Sequence, residues 1–108
     1  NIPYKPTHFN HPCTIWAGLN KANFNWLVEH ARSLCSEYTL RYGKTHASLN
    51  VIDWCANNNS LVKGDITPFV QCMPDEFRQV NTVQAYRNYL HSKTYAKWKM
   101  VDRTPNWW

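Results

Sequence analysis

Between Lys21 and Tyr42 the apolar and aromatic side chains Phe24, Leu27, Val28, Ala31, Leu34, Cys35, Tyr38 and Tyr42 recur at steps of three and four. That spacing traces one face of an α-helix of about six turns. Asn20 stands where an N-cap oxygen can take an orphan backbone N–H, and Gly43 stands where a left-handed residue closes a helix. A helix this long needs other elements to cover its apolar face, and 108 residues supply one domain to do it, not two.

The remaining elements read as shorter. Pro12 opens a helical turn running through Trp16, with Cys13 packing inward. Before it, residues 1–12 hold Pro3, Pro6 and Pro12 and are expected to be extended and irregular, draped over the rest. A second helix is predicted from Ser48 to Asn57, with Leu49, Ile52 and Cys55 or Ala56 facing inward, ended by the run Asn57-Asn58-Asn59-Ser60. Residues 61–81 form a connector containing Pro68 and Pro74, with one helical turn expected near residues 68–72. A third helix starts near Thr82, capped by Asn81, with Val83, Tyr86 and Leu90 on one face. It is expected to continue, kinked or broken, through Tyr95 and Trp98 until Pro105 stops it and leaves an aromatic tail. No segment alternates with the period of two that strands require. The fold class is all-α: a small single-domain bundle of three to four helices, with a proline-rich extended N-terminus and an aromatic C-terminal tail.

Apolar residues make up 44% of the chain and charged residues 18%, too hydrophobic a balance for a disordered segment. The longest apolar stretches are only a few residues, so no transmembrane helix is expected. Cys13, Cys35, Cys55 and Cys72 are widely spaced and contain no C-x-x-C pair, which argues against a zinc ribbon or a thioredoxin-like motif. His11 and Cys13 together supply two metal ligands, too few for a site. The cysteines read as reduced, buried small hydrophobes, and neither a metal nor another cofactor is expected.

The formal charge of +5 is unevenly placed. Residues 1–76 carry six basic and six acidic side chains. Residues 77–108 carry Arg78, Arg87, Lys93, Lys97, Lys99 and Arg103 against Asp102 alone, interleaved with Tyr86, Tyr89, Tyr95, Trp98, Trp107 and Trp108. Cations that neutralise phosphates, set among rings that stack on bases, suit a nucleic-acid surface. The competing reading is a solvated basic helix whose rings face the core, with lysine stems snorkelling around Trp98.

The densest polar cluster is the segment from Glu37 to His46, which includes Arg41 and Lys44. On a helix, Trp26, His30, Glu37 and Arg41 fall within about 60° of one another, in a row beside the apolar stripe. Glu37 and Arg41 form an i,i+4 pair in the favourable order. As a structural feature this is a helix-stabilising ion pair. As a catalytic one, the carboxylate would serve as a base or stabilise a developing cation, with His30 or His46 carrying protons. His11, ahead of Pro12, reads as a cap or a phosphate contact at the margin.

Several segments occur in a specific order: His11-Pro12-Cys13, Glu37-Tyr38 through Arg41-Tyr42-Gly43-Lys44 to His46, Thr67-Pro68-Phe69, Cys72-Met73-Pro74, Ala85-Tyr86-Arg87 and Ala96-Lys97-Trp98. In these the chain resembles, from about Tyr4 to Trp108, a family of small bacteriophage proteins commonly labelled pyrimidine-dimer DNA glycosylase, or endonuclease V-like. The resemblance implies base excision on damaged pyrimidines in DNA. An amine displaces the glycosidic bond and forms a Schiff base, a carboxylate stabilises the intermediate, the strand is cleaved, and no cofactor takes part. It further implies DNA as the partner, no membrane, and the cytoplasm of an infected bacterial host; no protein partner is named. Family members carry a further N-terminal region, so this chain, which starts at Asn1 without Met, is expected to be the C-terminal two-thirds of a longer protein with its nucleophile upstream. The assignment expected from residues and resemblance together places Glu37, Arg41 and His46 at a catalytic centre. Lys44, Arg87, Lys93, Lys97, Trp98 and His11 would lie on DNA. The alternatives are a non-catalytic nucleic-acid or protein interaction module of phage origin, and an enzyme modifying DNA bases or nucleotides.

Overall fold

The computed structural model of the chain describes residues 4–108, and the part of the expected extended opening that falls on residues 1–3 lies outside them. Among the described residues there are four α-helices and no strand: α1 (Pro12–Ala17), α2 (Lys21–Tyr42), α3 (Ser48–Asn57) and α4 (Thr82–His91). Single 3₁₀ turns lie at Asp75–Phe77 and Val101–Arg103. The chain is all-α, as its periodicity predicts. It divides into two compact units, one ending at Pro68 and the other comprising Phe69–Trp108.

In the first unit, the segment before α1 is irregular and exposed, including Tyr4 and Phe9. Pro12 sits at the start of α1, where its fixed φ suits a helix and its missing N–H is no loss. His11 caps the helix by accepting the Cys13 N–H on Nδ1 at 3.1 Å. The termini of α2 are those the sequence predicts. The Asn20 side chain accepts the Asn23 N–H at 2.9 Å, and Gly43 closes the helix at φ 70°, donating its N–H to the Thr39 carbonyl. The boundaries of α3 also match. It is ended by three asparagine amides turned back on its carbonyls: Asn57 on Asp53, Asn58 on Trp54, and Asn59 on Cys55 and Ala56.

The apolar stripe of α2 is narrower than its pattern suggests. Val28 and Cys35 are buried, whereas Leu27, Leu34 and Tyr42 are exposed. Spacing tells which residues share a helix face; how wide a strip is covered depends on the neighbours. Leu27 borders an open apolar groove of about 630 Å³, also lined by Ala17, Phe24, Cys55 and Leu61. Cys13, expected inside, is exposed on the rim of this groove. A short α1 buries only Trp16 and Ala17 and turns its other side outward. Of the four cysteines only Cys35 is fully buried, while Cys55 and Cys72 are intermediate.

The most deeply buried large side chain in this unit is polar. Asn23 is completely inaccessible and donates to the Trp16 carbonyl at 2.9 Å and to Thr67 Oγ1 at 2.8 Å, while its own oxygen accepts the Thr67 N–H at 2.9 Å. Around it, Lys21 donates its N–H to the Val62 carbonyl, the Asn20 amide donates to the Asp65 carbonyl, and the Trp16 indole donates to the Pro68 carbonyl. The connector from Val62 to Pro68 is thereby fastened across the start of α2, with Gly64 lying against Asn20.

The second unit departs further from expectation. No helical turn occurs at 68–72. Within this unit, Val70 to Cys72 is irregular and held by side chains. The Tyr86 hydroxyl donates to the Val70 carbonyl at 2.6 Å and accepts the Cys72 N–H, and Gln71 accepts the Gln79 N–H at 3.0 Å while its amide donates to the Gln79 carbonyl. The helical turn comes instead after Pro74, at Asp75–Phe77, where acidic residues sit favourably in a first turn. α4 starts as predicted, with the Asn81 side chain accepting the Gln84 N–H, but ends at His91. Residues 92–100 are turns, bends and irregular backbone, so the expected continuation through Tyr95 and Trp98 is absent. The buried face of α4 is also rotated: Ala85 is wholly inaccessible and Tyr86 half-buried, whereas Val83 and Leu90 are exposed. The rings that cover this unit come from Phe77 and the C-terminal tail, and a pattern within α4 alone cannot report where they land.

Candidate functional site

Two groups of side chains carry the functional expectations, one in each unit. In the first unit α2 brings Glu37 and Arg41 together. The Arg41 Nε donates to Glu37 Oε2 at 2.8 Å, and the two side chains are 20% and 32% exposed. This is a partly desolvated, charge-assisted hydrogen bond, stronger than a fully solvated i,i+4 pair. On the adjoining strip of the same turns, Tyr38 meets Tyr42 at 4.8 Å between ring centroids and His46 edge-on at 4.7 Å. His46 accepts the Ser48 N–H on Nδ1 at 3.1 Å and so caps α3 from two residues upstream. With Nδ1 accepting, the neutral ring carries its proton on Nε2. Lys44 is exposed in the turn after α2. His30 is exposed, and its ring stacks on Trp26 at 5.0 Å and 8°. His11 is exposed at the start of α1.

The same unit holds an ion network that spacing along one helix does not reveal. Arg32 donates through Nε to Asp53 Oδ1 at 3.1 Å, with Nη2 3.0 Å from the same oxygen, and through Nη1 to Glu29 Oε1 at 3.1 Å. The hydrogen bond to Asp53 holds the guanidinium pKa above its ordinary value. Glu29 and Arg32 lie at i,i+3, which sequence can suggest, but Asp53 belongs to α3, and only the packing of α3 on α2 brings it there. This is a helix-to-helix tie, not a catalytic constellation.

In the second unit the basic and aromatic residues interleave in space as they do in sequence. The Arg87 guanidinium lies over the Trp107 ring at 5.1 Å, and the Lys93 ammonium lies over the Tyr89 ring at 4.1 Å. The interaction with Tyr89 raises the lysine pKa above its usual value. Trp108 collects the ring edges of His91 at 5.0 Å, Trp98 at 5.2 Å and Trp107 at 5.7 Å. Arg87 and His91, four residues apart on α4, thus receive the two terminal tryptophans side by side. Trp98 is half-buried in this corner, and its indole N–H is buried without an acceptor among the described residues. Lys97 and Lys99 on either side of it are exposed. Trp98 is thus partly packed and partly accessible. The lysines stay available to a polyanion.

Among the described residues no helix is long and apolar enough to cross a membrane. Comparison of the chain with known protein families, with curated proteins and with solved structures finds no match.

Proposed function

We propose that the chain is a DNA-processing protein that grips phosphate with the cations of its second unit, and that it acts as a base-excision glycosylase/lyase on damaged pyrimidines. The observation that carries the DNA-binding part is that one unit holds both the exposed Lys97 and Lys99 and the ring-seated Arg87 and Lys93. Such a surface offers both charge neutralisation and π-faces to a nucleic acid. The excision chemistry rests on the family resemblance. In it, Glu37 stabilises the cationic intermediate after an amine has displaced the base, Arg41 holds the carboxylate in place, and His46 shuttles protons. Lys44, Arg87, Lys93, Lys97, Trp98 and His11 contact the DNA. No nucleophile is assigned.

A second reading, a non-catalytic nucleic-acid module, is favoured by a specific observation. Glu37 and Arg41 bind each other at 2.8 Å, and the His46 Nδ1 serves as a helix cap, so each group already has a structural task. Borohydride trapping on ultraviolet-irradiated duplex DNA, with the full-length product, separates the two. A covalent adduct and strand cleavage are expected for the enzyme. Salt-dependent binding with neither adduct nor cleavage assigns the module instead.

A further inference from the structure

We propose that the second unit binds an unpaired strand more tightly than a duplex, and that the Tyr95 ring is the stacking platform for the unpaired base. This inference rests on the proposed nucleic-acid function and specifies the form of its ligand. Tyr95 is 78% exposed, whereas Trp98 and the two terminal tryptophans are partly covered by one another. It stands in a turn that is internally braced: Thr94 donates its N–H to the Ser92 carbonyl at 3.0 Å, and Ala96 donates to the Lys93 carbonyl at 2.9 Å. The ring is therefore presented from a hydrogen-bonded turn, which lowers the entropy lost when a ligand immobilises it. Cations stand two residues before it and two and four residues after it, at Lys93, Lys97 and Lys99. Lys97 and Lys99 are exposed, and Lys93 lies against Tyr89.

A ring and its flanking cations need different things from a ligand. Lysines take phosphates from any nucleic acid. An aromatic face gains from a base only if that base exposes its own face, and in a duplex the base faces are stacked on their neighbours. A projecting tyrosine in a basic turn thus adds affinity for an unpaired strand and adds nothing for a closed helix. Among the described residues, the ring contacts of Trp108 are with His91, Trp98 and Trp107 and do not include Tyr95.

Fluorescence anisotropy with one labelled mixed-sequence oligonucleotide, alone and annealed to its complement, tests the inference on the whole protein. The single strand is expected to bind more tightly. Tyr95→Ala is expected to weaken single-strand binding by about 5- to 100-fold, the range for losing one stacked base, and to leave duplex binding and the salt slope unchanged. Tyr95→Phe retains the affinity. Lys97→Gln with Lys99→Gln weakens both forms and flattens the salt dependence. Equal affinity for the two forms, a preference for duplex, or a Tyr95→Ala variant that binds the single strand normally overturns the inference while leaving DNA binding intact. Failure to bind either form removes the proposed function itself. Because Tyr95 is exposed, its replacement leaves the fold in place, which circular dichroism checks directly.

Discussion

Asn23 carries more of the first unit than its type suggests. A buried amide that meets every partner stabilises a unique arrangement, and one that loses a partner leaves donors and acceptors stranded away from water. Asn23→Leu keeps a similar volume but strands the Thr67 N–H and leaves the Trp16 carbonyl with only the Leu19 N–H at 3.3 Å. It is expected to lower unfolding free energy by about 2–4 kcal/mol, read as a shift in the urea midpoint. Gly64 is fixed by the same network. A Cβ there would stand 2.9 Å from the Asn20 Nδ2 and 3.1 Å from the Asn20 Cβ and Cγ. Asn20 is held by its cap and by Asp65, so it has little room to yield. Gly64→Ala should cost about 1–3 kcal/mol in thermal or chemical unfolding. Loss of less than a few tenths in either variant would show that the connector is not fastened as described.

At the scale of the element, α2 performs two tasks with different faces. One strip, around Val28 and Cys35, meets the core; another, bearing Glu37 and Arg41, carries the proposed site. The pair is partly exposed, so its structural worth is limited to about 0.5–1 kcal/mol. Glu37→Gln and Arg41→Met should therefore lower stability only within that range. If the pair is catalytic, each variant also loses excision activity per folded molecule by at least about 100-fold, the usual weight of an acid–base or charge-stabilising group. If activity falls only in proportion to the folded fraction, the pair is a helix tie. The α4 element shows the same division: Ala85 is its buried centre, while Arg87 and His91 receive the terminal tryptophans.

For the whole molecule the decisive property is the placement of charge. The surplus lies in residues 77–108, where six cations face one acidic residue. Arg78 is matched by Asp75 at 3.1 Å, and Arg87, Lys93, Lys97, Lys99 and Arg103 make up the rest of the positive set. Binding to duplex DNA should weaken log-linearly with salt, and each of Lys97→Gln and Lys99→Gln should reduce the magnitude of that slope by about 1. Binding that is insensitive to salt would place the contact elsewhere than on phosphate.

Local chemistry was fully legible where it was self-contained. The ends of α2 and α3 and the start of α4 depend on caps within a few residues, so Asn20, Gly43, the Asn57–Asn59 run and Asn81 could be read directly. The Glu37–Arg41 contact follows from helical spacing in the same way. What spacing could not supply was coverage: which flank of the α2 stripe is buried, that Ala85 and not Val83 or Leu90 centres α4, and that α4 stops at His91. Those outcomes depend on residues distant in the chain, among them Asp53 against Arg32, Thr67 against Asn23 and Trp107 against Arg87. The sequence by itself determined the helical class, the helix ends and the separation of charge, because these are set by neighbours along the chain. Tertiary structure alone decided that Asn23 takes the most buried position of α2, since only the returning connector brings Thr67 to satisfy its amide.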